Sequence, residues 1–240
     1  MTDTLYLVTD RAGRLRPGDV QVKKGWLVRP ADAGEAEFGI SRTIRAMRSP
    51  EHAAASTFER WPWRLWQVQG DLVVSTGDVV GCQEVRVTRQ LPLERAFGPC
   101  GTAATRLLRR LEEVTAQEAR DLGEAWAAVD RDAMATAVSA AEKAASQAGW
   151  STPWTAALQA IHSVCATADT LRTEPRWDRA GARGVAVHHP PNRAEAAAAS
   201  VAKALFTTDL VGSCGLRRRH VDLLRQPWLE VLEPVWEPAP

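Results

Sequence analysis

Hydrophobic and polar residues follow two different periods along this chain, and the change from one to the other divides it. Leu5 to Thr9 is a short β-prone run stopped by the polar turn Asp10-Arg11-Ala12-Gly13, and Gly25 to Val28 is a second candidate strand closed by Arg29-Pro30. From Trp63 to Gln90 the period is two. Leu65, Trp66 and Val68 precede Gly70-Asp71, Leu72 to Ser75 follow, and Val85 and Val87 then alternate with Glu84, Arg86 and Thr88. This predicts antiparallel strands joined by Gly-Asp turns. Upstream, Ser49-Pro50-Glu51 reads as a helix start. Ser49 can accept from first-turn amides, Pro50 suits the first helical position and Glu51 the positive end of the dipole. That helix should stop at Ala55 or Ser56.

From Gly101 onward alanine dominates and the period becomes helical. Leu107, Leu108, Leu111 and Val114 form one stripe, and Thr115-Ala116-Gln117-Glu118 matches a capping box. A helix is therefore expected from Ala116 to about Ala148, with Ala119, Leu122, Trp126, Val129, Ala133, Ala137, Ala140 and Ala144 as a narrow seam. Gly149 ends it. Ser151-Thr152-Pro153 starts another, whose Ala157, Ile161, Val164, Ala168 and Leu171 share a face, and the two should pack as an antiparallel hairpin. Thr173 to Pro191 is a Pro-, Gly- and Arg-bearing connection of a length uncommon in compact domains unless it binds or moves. Asn192-Arg193-Ala194-Glu195 caps a further Ala-rich helix, and Leu216 to Arg225 with Trp228 to Leu232 supply the last helical pieces around Pro227.

The expected fold class is α+β. A small antiparallel β-rich module with one short helix spans 1–99, and an Ala-rich domain of antiparallel helices spans 100–240, with the long connection at 173–191. The compositional break near Pro99-Cys100-Gly101 predicts that the helical part folds without the residues before it.

The stretch Ile40 to Pro92, with its Ser-Pro-Glu-His helix, the Leu65-Trp66-Gln67-Val68 strand, the Gly-Asp turn and a Gly81 to Leu91 strand, resembles an uncharacterised small module of bacterial and phage proteins. There it precedes pentapeptide repeats or Ala-rich helical tracts. Val114 to Trp126 resembles the start of such actinobacterial tracts, and Leu223 to Leu232 their closing helix. The resemblance implies an architecture and no chemistry.

Charge removes some function classes. Lys+Arg total 30 against 29 Asp+Glu, a formal charge of +1, so no global field draws the chain onto nucleic acid or an anionic membrane. Any such binding has to be local. Cys82, Cys100, Cys165 and Cys214 are scattered and none forms a C-x-x-C pair, which argues against a disulfide scaffold or a preformed half zinc site. The absence of a signal-peptide pattern or a bilayer-length apolar run makes a reducing, cytoplasmic setting the expectation, with no membrane partner.

Candidate chemistry is sparse. His188-His189 lies in the long connection, and His162 with Cys165 shows two ligands where a structural zinc site needs four, so no metal and no cofactor is expected. Arg11, Ser75 and Glu84 resemble loosely the Arg, Ser-Thr and Glu triad of ADP-ribosyltransferases, although Ser75 and Glu84 fall on neighbouring strands with little between them. Gly-x-Gly-x-x-Gly and Gly-Lys-Ser/Thr are absent. Trp61-Pro62-Trp63-Arg64-Leu65-Trp66 concentrates three indoles beside arginine, a string suited either to a core plug or to a binding surface of Trp61, Trp63, Arg64 and Trp66. Arg217, Arg218 and Arg219 open the last helical segment against its dipole, and Arg176, Arg179 and Arg183 could join them as a basic face.

These features rank a non-enzymatic binding or assembly protein first, with another protein or a second copy as partner. A nucleic-acid-binding protein using the six arginines comes second. An ADP-ribosyltransferase-like enzyme comes third.

Overall fold

In a computed structural model of the chain, described for residues 3–15, 20–29, 43–57, 61–149, 151–172, 200–204, 206 and 216–232, strands precede helices in an α+β arrangement. Strands β1 (Asp3–Thr9), β4 (Leu27–Val28), β5 (Ile44–Met47), β6 (Arg64–Thr76) and β7 (Val79–Leu91) form one antiparallel sheet, and β2 (Arg14–Leu15) and β3 (Val20–Gln21) form a separate small ladder. The large sheet closes on itself. β1 pairs β6 on one edge and β5 on the other, while β7 pairs β6 on one edge and β5 followed by β4 on the other. Inside this small barrel lie Leu5, Leu7, Val28, Ile44, Trp66, Val68, Cys82, Val85 and Val87, the inward positions that period two supplies.

The turn expected at Gly70-Asp71 is not a turn. β6 runs through it to Thr76, and the hairpin closes at Gly77-Asp78, where Gly77 takes a φ of 62° that a two-residue loop accepts readily from glycine. Gly70 instead marks a bend. Register shifts fall at Gln67/Val68, Gly70/Leu72 and Leu72/Val74, and a Cβ on Gly70 would stand 2.8 Å from the Glu84 carbonyl oxygen. The missing side chain allows β7 to approach, and the bulges bend the long hairpin so that the sheet can close.

Helix α1 (Pro50–Ala55) begins as its local signals dictate: Ser49 Oγ accepts from His52 N at 3.2 Å and Pro50 occupies the first turn. After β7, a 3-10 segment (Leu93–Cys100) leads into α2 (Gly101–Glu112). Helix α3 (Ala116–Ala128) carries the expected capping box, with Glu118 N donating to Thr115 Oγ1 and Thr115 N donating to Glu118 Oε2 at 2.8 Å. That amide, with Arg110 Nη2 at 2.7 Å, holds the Glu118 carboxyl below the usual carboxylate range.

The single helix expected over 116–148 is two. Val129 is extended, and Asp130 Oδ1 accepts from Ala133 N at 2.8 Å to start α4 (Arg131–Gln147). A carboxylate that caps the following helix competes successfully with continuation of the preceding one. The break resets the helical phase, so Met134, Ala137, Ala141 and Ala145 are buried while Ala133 is exposed. The pairing also differs from the expected hairpin. α4 packs more extensively on α6 (Arg218–Val231) than on α5 (Ser151–Arg172), and α5 packs chiefly on α1 and α2. α6 is continuous through Pro227, which is buried between Leu224 and Trp228 rather than separating two pieces. Of the α5 face, Ala157, Ile161 and Val164 are buried, whereas the side chains of Ala168 and Leu171 lie outside the described residues, as do the long connection and the Asn192 cap.

One apolar core crosses the compositional break. Val8, Met47, Leu65 and Leu91 from the strands join Leu107, Leu111, Ile161 and Trp228 from the helices in a continuous cluster. Trp61 ties the two halves by polar contacts as well, its backbone N donating to Ser163 Oγ at 2.7 Å and its indole Nε1 to Glu112 Oε1 at 2.8 Å.

Because of that shared core, a chain beginning at Gly101 is expected to lose cooperative thermal unfolding, read by near-ultraviolet circular dichroism; a sharp transition would mean that the helices need no strands. Within the helices, Ala137→Leu should overpack a closed contact at a cost of about 1–3 kcal/mol. Ala133→Leu should stay within about 0.5 kcal/mol of the parent, because its site faces solvent. Equal shifts in melting temperature would contradict the helical phase.

Candidate functional site

The tryptophan string forms no binding surface. Trp61, Trp63 and Trp66 are 6%, 5% and 4% exposed. Trp61 and Trp63 meet edge to face at 5.5 Å, and Trp66 Nε1 donates to the buried Thr9 Oγ1 at 2.9 Å inside the barrel. Their energetic role is burial, of Trp61 and Trp63 in the core shared with the helices and of Trp66 inside the barrel, with the indole N–H of Trp61 and of Trp66 satisfied. Arg64 alone of that set reaches the surface, half-buried beside Gly13.

Arg11, Ser75 and Glu84 do not converge. Arg11 sits in the turn after β1, near the end of β6 that begins with Arg64, and Ser75 lies towards the opposite end of β6. Ser75 pairs with Val80, so Glu84 is displaced along β7 by four positions, about 13 Å of strand. Each is engaged elsewhere: Arg48 Nη2 donates to Ser75 Oγ at 3.2 Å, and Arg29 Nε to Glu84 Oε2 at 3.3 Å. The three are therefore spread along the barrel wall and are not gathered at one point.

Arg217, Arg218 and Arg219 are exposed at the start of α6, where Arg218 stands 3.9 Å from Asp222. Arg176, Arg179 and Arg183, and the pair His188-His189, lie outside the described residues. Among the described residues no group of three or more His, Cys, Asp or Glu is placed to hold a metal ion.

Folding brings together a set that the sequence pattern did not single out. Ser49 Oγ lies 2.9 Å from His52 Nδ1, His52 Nε2 lies 3.0 Å from Asp78 Oδ2, and Thr152 Oγ1 approaches the same Nε2 at 3.4 Å. With the proton on Nε2, the hydroxyl donates to the ring and the ring to the carboxylate, the order of a nucleophile, base and acid relay. The Ser49 oxygen is already the α1 cap, however, and its helix is barely two turns long. The geometry is that of a tie. It joins the tip of the β6–β7 hairpin to α1 and to the start of α5, with the backbone N of Arg48 donating to Asp78 O at 3.1 Å beside it.

A concave feature among the described residues lies elsewhere. A cleft of about 180 Å³ opens between α3, α4, α5, the helical stretch 200–204 and α6. Trp126 and Trp154 contribute two half-buried indoles, and Val138, Leu158, Ala204 and Leu224 complete an apolar lining. Glu142 and Lys203 add one charge of each sign, with Ser200 between polar and apolar parts. In sequence Trp126 reads as a seam residue and Trp154 stands three and seven residues before Ala157 and Ile161, so only the packing of five helical segments reveals the site.

Removing the tie should cost stability and no activity. Ser49→Ala is expected to lower stability by about 1 kcal/mol through loss of the cap. Asp78→Asn should lower it by less than about 1 kcal/mol, because the pair is partly exposed. Hydrolysis of p-nitrophenyl acetate should be the same in parent and variants; a parent rate abolished by Ser49→Ala would make the relay catalytic.

Comparison of the chain with protein-family models, with curated proteins and with solved structures gives no match at all.

Proposed function

We propose that this chain is a non-enzymatic binding protein whose helical cleft receives an apolar side chain of a partner protein. The carrying observation is the cleft lining itself, two indoles and four aliphatic side chains with Glu142 and Lys203 alongside. Small-molecule sites usually enclose roughly 300–1,000 Å³, whereas a cavity of about 150 Å³ already admits a benzene ring. A space of about 180 Å³ therefore suits one aromatic or branched aliphatic group. Indoles are favoured where binding energy concentrates, because they bury a large rigid area at little cost in rotamer freedom. The two opposite charges give such a partner segment an orientation.

This reading replaces the surface role expected of Trp61, Trp63 and Trp66 with one for Trp126 and Trp154, and it retains a protein as the partner.

The test is a titration of the full chain with N-acetylated amides of phenylalanine, leucine and serine, followed by the indole N–H resonances. The phenylalanine and leucine amides should shift the Trp126 and Trp154 signals at millimolar concentration, and the serine amide should not. Val138→Phe, which fills the cleft from its own wall, should abolish the shifts while leaving the chain folded. Equal response to all three amides, or none, would refute the assignment.

A further inference from the structure

Charge is distributed unevenly over the barrel, Arg29 being paired with Glu84 at one end. Near the Cys82 end, Asp3 and Asp71 lie close enough to add to the effect of burial in raising the Cys82 thiol, and Glu84 follows on β7. Among the described residues the other end is basic. Across residues 9–14, 22–26, 64–67 and 87–89 there are six basic side chains and one carboxylate, that of Asp10. Asp10 is held locally, its Oδ1 accepting from Arg14 N at 2.8 Å.

Backbone pairing gathers these segments. Thr9 faces Arg64 across β1 and β6, and Gln67 faces Arg89 across β6 and β7. Val22 N donates to Gly13 O at 2.7 Å, which sets Lys23 and Lys24 just beyond the turn carrying Arg11 and Arg14. Gly25 N then donates to Val87 O at 2.8 Å and Val87 N to Trp26 O at 2.9 Å, fixing Trp26 two positions from Arg89.

Trp26 is 47% exposed, in contrast to the buried indoles of the core. Lys23 Nζ stands 5.1 Å from its ring centroid, so positive charge and an aromatic face are presented together. Arg86, opposite Leu27 on β4 and Gln69 on β6, lies two positions from Glu84 and stands outside this patch.

We propose that the basic end of the barrel, with Trp26 as a stacking platform and Lys23, Lys24 and Arg89 around it, binds single-stranded nucleic acid. An exposed indole can stack only on a base that is not already stacked within a duplex, and flanking cations neutralise the phosphates on either side. The near-neutral chain restricts this attraction to the patch, so affinity falls off quickly with salt. The site is independent of the helical cleft, and it differs from the arginine cluster at 217–219 in offering an aromatic face.

Fluorescence anisotropy of the full chain with a labelled oligothymidylate of about 15 nucleotides tests it. Binding is expected at about 50 mM salt, weakening by about 0.7 in the logarithmic slope for each phosphate contacted. Trp26→Ala should weaken it about tenfold, Trp26→Phe should restore most of the loss, and Lys23→Gln with Lys24→Gln should flatten the slope. All three act on exposed positions, so circular dichroism should be unchanged. A combined Arg217→Gln, Arg218→Gln, Arg219→Gln variant should bind like the parent. No binding at low salt, indifference to both Trp26→Ala and the lysine changes, or loss confined to the triple arginine variant would each overturn the proposal. Tighter binding of a duplex of the same length would overturn the single-strand assignment.

Discussion

The burial of Trp61 and Trp63 between the barrel and the helices is the contact on which the remaining arrangement depends. These two side chains belong to the strand half by sequence, yet Trp61 is held by Ser163 of α5 and Glu112 at the end of α2. Their T-shaped pair fills the space under Leu65 and Leu91, and the helices close over it. Without that filling, the outer side of β1 and β5 would expose Val8 and Met47, and α1 would lose the surface on which Ala53 and Ala54 are buried. The cleft in the helical layer follows from the same packing. α5, anchored at one side to α1 and α2, leaves Trp154 half-buried at the edge of the separate cluster formed by α4 and α6.

What was legible in the sequence was local. Ser49 with Pro50, and Thr115 with Glu118, are caps whose partners lie within three residues, so residue type and spacing alone specify them. The α+β order and the inward Val and Leu positions were legible for a similar reason, because the side-chain period is a local property. Gly70-Asp71 misled because a turn pair and a strand bend look alike until the partner is known. The β1 ladder, which reaches Gly70 from Asp3, decides in favour of the strand. Asp130 was masked by an apolar spacing that continues smoothly across the break.

The candidate site was less legible, since its residues come together only through tertiary packing. Trp126, Val138, Trp154, Ala204 and Leu224 belong to five helical segments. The burial of Trp61, Trp63 and Trp66 could not be chosen over exposure from their spacing, because an extended aromatic string suits either. The Ser49, His52 and Asp78 tie needs the hairpin tip folded back onto α1, a consequence of bulges in β6 that leave no simple mark in the sequence.

Strand β1 lies between β5 and β6, and the core it borders is completed by Trp228. During synthesis, β1 therefore waits for partners some forty to sixty residues behind it, and the joint core waits for α6, which is made much later still. Apolar faces of the early barrel, Val8 and Met47 among them, stay uncovered while most of the helical half is still being made. Segments made so far apart that share one core close late and together, and they depend for that interval on whatever shields nascent apolar surface from other chains.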